Sequence, residues 1–162
     1  GEAPFFALFG ALPLRRDHRR EAFDDLKVAA DYARFAGQCL IVFPSGRQQP
    51  AHFPAQFQRG ALKVATLSGA RTLPMALRYE FGENALPEVV IAFGKPLALG
   101  SDRESLAALE FAVAELSAQI DQWLLARIEK REPLVEPAQL FGGNQSRKVS
   151  LGERALRRLM MQ

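Results

Sequence analysis

The stretch "CLIVFPSGRQQPAHFPAQFQRGALKVA", Cys39 to Ala65, decides how the chain is read. A short apolar run breaks into Phe43-Pro44-Ser45-Gly46-Arg47, and an aromatic-glycine signal, Phe57 to Gly60, begins fourteen residues after Phe43. A continuous apolar run, β-branched in part and stopped by proline, predicts a strand buried on both faces of a parallel sheet. Cys39 would open that strand as a small buried side chain, with no neighbouring histidine to make it a nucleophile. "GALKVATLSG" then predicts a short helix between two glycines. Strand, turn and helix in this order predict an α/β domain.

The flanking sequence supports that class. "RREAFDDLKVAADYARFAG" places Phe23, Leu26, Ala30 and Ala33 near helical spacing with charge opposite, which predicts a helix over 19–36 that stops at Gly37. "TLPMALRYEF" and "EVVIAFG" predict two strands separated by the turn signal "GENALP". From Ser101 to Lys130 the apolar positions Leu106, Leu109, Val113, Leu116, Ile120, Trp123 and Leu124 predict the longest helix, opened by a Ser-x-x-Glu capping box at Ser101. The expected architecture is a mixed, largely parallel sheet flanked by helices over residues 1–130. Residues 131–162, rich in Pro, Gly and polar residues and ending in "SLGERALRRLMMQ", read as a linker and a basic amphipathic tail.

Bulk properties narrow the function classes. A chain of 162 residues with 48% hydrophobic content can bury about two thirds of its unfolded surface in one domain. With 21 Lys and Arg against 18 Asp and Glu, the formal charge of +3 is far from a nucleic-acid footprint, and no nucleic-acid partner is expected. One cysteine excludes an internal disulfide. The apolar start "APFFALFGALPL" is interrupted by Gly10 and Pro13, short of the roughly 18 residues a spanning helix needs. Phe5, Phe6 and Phe9 read as core or groove lining. The chain opens on Gly1 without a charged n-region, so it reads as the continuation of something upstream rather than a signal peptide.

Several chemistries fail on spacing. Two isolated histidines and one distant cysteine supply no metal-ligand pattern. "FPSGRQQP" lacks the Gly-Lys-Ser/Thr end of a nucleotide-phosphate loop, and Ser45 lacks the Gly-x-Ser-x-Gly of a hydrolase elbow. His18 and Asp25 share a helix face, but two turns separate them by about 10.5 Å.

Four blocks taken together resemble a known family. "GALPLRR" (Gly10–Arg16), "FPSGR" (Phe43–Arg47), "FQRGALKVA" (Phe57–Ala65) and "TLPMAL" (Thr72–Leu77) are similar, in order and spacing, to the later blocks of the glycerolipid acyltransferases, the enzymes that acylate lysophosphatidic acid and its relatives. The resemblance covers about residues 3–130. It implies transfer of a fatty acyl group from acyl-CoA or acyl carrier protein, as co-substrate and with no bound cofactor or metal, to the hydroxyl of a lysophospholipid-like or other lipid acceptor. It also implies peripheral contact with the cytoplasmic face of a membrane. On this resemblance Phe43, Pro44, Ser45, Gly46, Arg47 and Arg16 line the acceptor site. The two arginines would fork onto phosphate oxygens, and Gly46 would let backbone amides approach. Phe57, Gly60 and Pro74 are implied as groove or structural positions.

Two departures accompany the resemblance. Ser45 stands where the family has glutamate, and Arg47 is displaced by one position, which shifts the expectation from ordinary lysophosphatidate towards another hydroxyl-bearing lipid or sugar. The His-x-x-x-x-Asp general-base pair is missing, because Phe23 and Phe57 stand five residues after His18 and His52. No residue of the chain is therefore expected to be catalytic, and the pair is expected upstream of Gly1. The alternative is a non-catalytic lipid-binding or scaffold domain of the same fold.

Overall fold

In a computed structural model, the structure describes residues 10–15, 18–47, 53, 56–80 and 88–129. Within them the element order is α1 (Arg19–Arg34), α2 (Gly60–Ser68), β1 (Met75–Glu80), β2 (Glu88–Phe93) and α3 (Arg103–Ile128). The class is mixed α/β, with three helices and one two-stranded sheet among the described residues. That sheet is antiparallel, with Met75 opposite Phe93 and Glu80 opposite Glu88, so the expected parallel sheet is not found among the described residues.

The largest correction concerns the run Cys39–Phe43. It forms no strand, and Ile41, Val42 and Phe43 are exposed, as is the thiol of Cys39. An apolar run becomes a strand only when another backbone satisfies its N–H and C=O groups. The backbone bonds here close turns at either end instead, from Gln38 N to Phe35 O and from Gly46 N to Phe43 O.

The helices follow their periodicity. α1 packs against α2, where Leu62 is fully buried and Val64 nearly so, and Ala30 is buried on α1. The Arg34 guanidinium donates to the carbonyl of Leu67, satisfying an otherwise unpaired acceptor in the last turn of α2. α2 ends on Gly69 in the left-handed region, φ +62°, as its flanking glycine predicts.

α3 covers one face of the hairpin. Ala76 on β1 joins Leu116 and Ile120 on α3 in the core, with Val90, Ala92 and Leu124 packed against them. Two ion pairs fasten the same contact, Arg78 with Asp121 and Arg127 with Glu88. Past the strands the pairing continues, with Gly94 N donating to Pro74 O at 2.9 Å and Leu97 N to Thr72 O at 3.0 Å.

The cap of α3 differs from the expected one by a residue. Asp102, not Ser101, is the N-cap, and its carboxylate accepts from Ser105 N at 2.7 Å. Aspartate reaches the amide three residues on while its own backbone stays extended, here at ψ 173°. That backbone hydrogen bond holds the Asp102 carboxyl below the ordinary carboxylate range. Asp25 is also held low, chiefly by its side-chain hydrogen bond with Arg15.

Both carboxylates bind protons less readily folded than unfolded, so each adds stability above its unfolded pKa and loses it as pH falls through the lower folded value. The melting temperature is expected to fall below about pH 4. Asp102→Asn, which keeps the cap but does not titrate, should give a shallower acid limb. An unchanged acid limb in that variant would mean the cap does not contribute to the transition.

Candidate acceptor-binding corner

Of the residues that the resemblance implies for an acceptor site, the contiguous stretch Phe43–Arg47 lies among the described residues, and it meets the segment entering α2. Pro44 and Ser45 make a turn that Gly46 completes at φ +64°, a conformation only glycine adopts without strain. The hydroxyl of Ser45 donates to the carbonyl of Arg47 at 3.1 Å and rigidifies the turn. Gln58 N then donates to Pro44 O at 2.8 Å, and Arg47 Nη2 donates to Gln56 Oε1 at 3.4 Å. Residues 43–47 and 56–60, separate in sequence, thus form one corner at the start of α2.

Glu110 completes this corner and was not foreseen. From the half-buried flank of α3 its Oε1 accepts from Phe57 N at 2.8 Å, across 53 residues. A carboxylate in the otherwise apolar "LAALEFAVA" is the one sequence signal that could have pointed to it, since partly buried acids occur where they have partners.

Arg47 and Arg59 are exposed, Arg59 makes no side-chain cap bond, and the first turn of α2 carries no acid. Phe43 is 74% exposed at its rim, while Pro44, Ser45, Gly46 and Phe57 are half-buried. Guanidinium groups beside a helix start suit an anionic oxygen.

The other implied residues lie elsewhere. Pro74 is buried in the hairpin, where its ring closes on Gly94. Gly60 begins α2 with ordinary van der Waals room, since a Cβ there would meet Leu26 Cδ2 at 3.7 Å. Arg16 and His52 fall outside the described residues, as do Phe5, Phe6 and Phe9 and the segment 131–162.

Beside Arg16, Arg15 is committed to structure. Its backbone N and Nε donate to Asp25 Oδ2 at 2.9 and 3.0 Å, Nη2 to Oδ1 at 2.6 Å, and Nη1 pairs with Glu21 at 3.0 Å. Both Asp25 oxygens are thereby occupied by arginine.

At the far end of α2 lies a shallow cleft of about 470 Å³, lined by Ala65, Thr66, Ala70, Thr72, Leu97 and Leu99 among others. Nine helical residues put roughly 13 Å between the cleft and the corner. No group of His, Cys, Asp and Glu side chains able to hold a metal occurs among the described residues. Among the same residues no helix is long and apolar enough to cross a membrane. In comparisons with known proteins, no family model matches the chain, and neither a curated protein nor a solved structure matches it.

Proposed function

We propose that the chain carries the acceptor-binding wall of an O-acyltransferase-type domain. The reaction is transfer of a fatty acyl group from acyl-CoA or acyl carrier protein to the hydroxyl of a lysophospholipid-like or other lipid acceptor, at the cytoplasmic face of a membrane. The observation that carries this reading is the corner itself. Two of the four sequence blocks that resemble the acyltransferases, Phe43–Arg47 and the segment entering α2, are hydrogen-bonded to each other with two arginines exposed beside them.

In the chemistry proposed, the acceptor oxygen bonds to the thioester carbonyl carbon, the carbon–sulfur bond breaks, and a base takes the hydroxyl proton as the thiol departs. Arg47 holds the anionic end of the acceptor. Ser45 and Gly46 fix the turn that aims it.

A second reading has its own support. Asp25, the acid that shares a helix face with His18 in the sequence, gives both oxygens to Arg15, so it does not serve to orient that imidazole. The same corner then serves a lipid-binding domain without chemistry.

The decisive experiment has two arms. Lysophosphatidate should raise the melting temperature of the wild type, less so as salt increases, and Arg47→Ala should lose most of the rise. The same comparison with Arg16→Ala asks whether that arginine shares the anion. Monoacylglycerol, which lacks the phosphate, should protect less. The second arm follows thiol release from a long-chain acyl-CoA over lysolipid, glycolipid and hydroxylated acceptors, where this chain alone is expected to be silent, because a positioned base typically contributes about 10²- to 10⁴-fold. Acceptor-dependent turnover would establish catalysis and make His18 and His52 the next substitutions. Equal protection of wild type and Arg47→Ala would remove the corner from the site.

A further inference from the structure

The β1–β2 hairpin distributes its side chains in an unusual way. Its register pairs Met75 with Phe93, Leu77 with Ile91 and Tyr79 with Val89 on one face, and Ala76 with Ala92, Arg78 with Val90 and Glu80 with Glu88 on the other. α3 packs on the second face, so every charged residue of the two strands lies on the helix side, and Arg78 and Glu88 pair there with Asp121 and Arg127. The outward face has no charge at all. A half-solvated antiparallel sheet ordinarily shows the reverse, polar side chains to water and apolar ones to the helix.

We infer that this outward face is an interface with a second copy of the chain, the two hairpins stacking face to face about a two-fold axis. Exposure gives the first argument. Tyr79 and Phe93 are 62% exposed, Val89 49%, Ile91 43% and Leu77 37%. Together with Met75 these side chains leave about 500 Å² of apolar surface in water, at the upper end of what a monomer tolerates in one patch. Stacking two copies buries about 1,000 Å² in total, the lower bound for a specific interface, so a weak, concentration-dependent dimer is what this area supports.

Shape gives the second argument. The two rings sit at diagonal corners, Tyr79 at one end of β1 and Phe93 at the opposite end on β2. A two-fold axis lying in the interface, along or across the strands, carries each ring over the smaller Val89 or Met75 of the other copy. Large side chains then meet small ones, as interdigitating sheets require. The face is its own complement, the condition an isologous dimer must satisfy. A charged partner finds nothing here to pair with.

Sedimentation equilibrium of the full chain from micromolar to millimolar concentration tests this. The weight-average mass should climb from monomer towards dimer. Phe93→Glu should hold it at monomer, with far-UV circular dichroism confirming the fold. Ile91→Thr, which keeps β-branching, should weaken association several-fold. Phe111→Glu, at a 66% exposed site on α3, should leave it unchanged. A monomer at every concentration overturns the proposal, and so does a dimer indifferent to Phe93→Glu or equally sensitive to Phe111→Glu. Flotation of a monomer with phosphatidylcholine vesicles, lost in Phe93→Glu, would overturn it in favour of a lipid occupant. None of these readouts involves the corner at Arg47, so the proposal stands or falls apart from the acceptor reading.

Discussion

Leu62→Ala is expected to lower the unfolding free energy by about 2–5 kcal/mol, the range for removing a buried leucine from a packed core. Leu62 has 0% exposure, the largest side chain among the described residues to be wholly buried, and it lies on the helix that packs against α1. The cost has two parts, the transfer of the lost methyl groups and the cavity that two rigid helices cannot collapse. α2 is only nine residues long, too short to hold its own helical form in water, so it depends on this contact. Urea titration followed by circular dichroism measures the change. Val28→Ala, on α1 and 59% exposed, should stay within about 0.5 kcal/mol of wild type. A loss below about 1 kcal/mol for Leu62→Ala would mean that the α1–α2 contact does not contribute to the stability being measured.

The second large effect is a contrast between two glycines. Gly94→Ala should destabilise by about 1–3 kcal/mol, because its Cβ would stand 2.7 Å from Pro74 Cγ and 3.4 Å from Leu116 Cδ1. A proline ring cannot swing aside as a flexible chain end does. Relief must come from shifting the backbone where Gly94 N bonds Pro74 O, at the open end of the hairpin. Gly60→Ala should do the opposite and stabilise by about 0.4–1 kcal/mol, since the unfolded chain loses freedom while the new methyl meets Leu26 at an ordinary distance. Midpoints moving in the same direction for both variants would contradict the packing at one of the two sites.

What was legible in the sequence was local. The spacing of Phe23, Leu26 and Ala30 and of Leu109, Leu116 and Ile120 marks α1 and α3, because a helix satisfies its backbone within itself. The glycines around "ALKVATLS" bracket α2 for the same reason. β1 and β2 were legible because a turn signal joins them and their pairing is with each other. The run Cys39–Phe43 was misread because an apolar stretch needs a remote partner to become a strand, and no local pattern says whether one is present. The Ser101 cap failed by a single residue, since Asp102 offers the stronger acceptor at the next position. At the candidate site, Phe43–Arg47 and Phe57–Gly60 were visible as motifs, whereas Glu110 stands 53 residues beyond its partner amide. Arg15 was hidden in "RRDHRR", where charge alone does not distinguish the arginine that anchors from those that face water.

α3 has a mechanical consequence for how the molecule comes apart. Its polar anchors follow one another along the rod, Glu110 to the amide of Phe57, Asp121 to Arg78, then Arg127 to Glu88. From first to last they span roughly 25 Å. Unwinding from the C-terminal turn therefore works like a zip, releasing the start of β2 first and β1 next. Glu110 holds the Phe57 amide until most of the helix has gone. The hydrogen bond that joins α3 to the corner beside Arg47 therefore outlasts the ion pairs at the other end of the same helix, and the shape of that corner is insulated from openings of the hairpin.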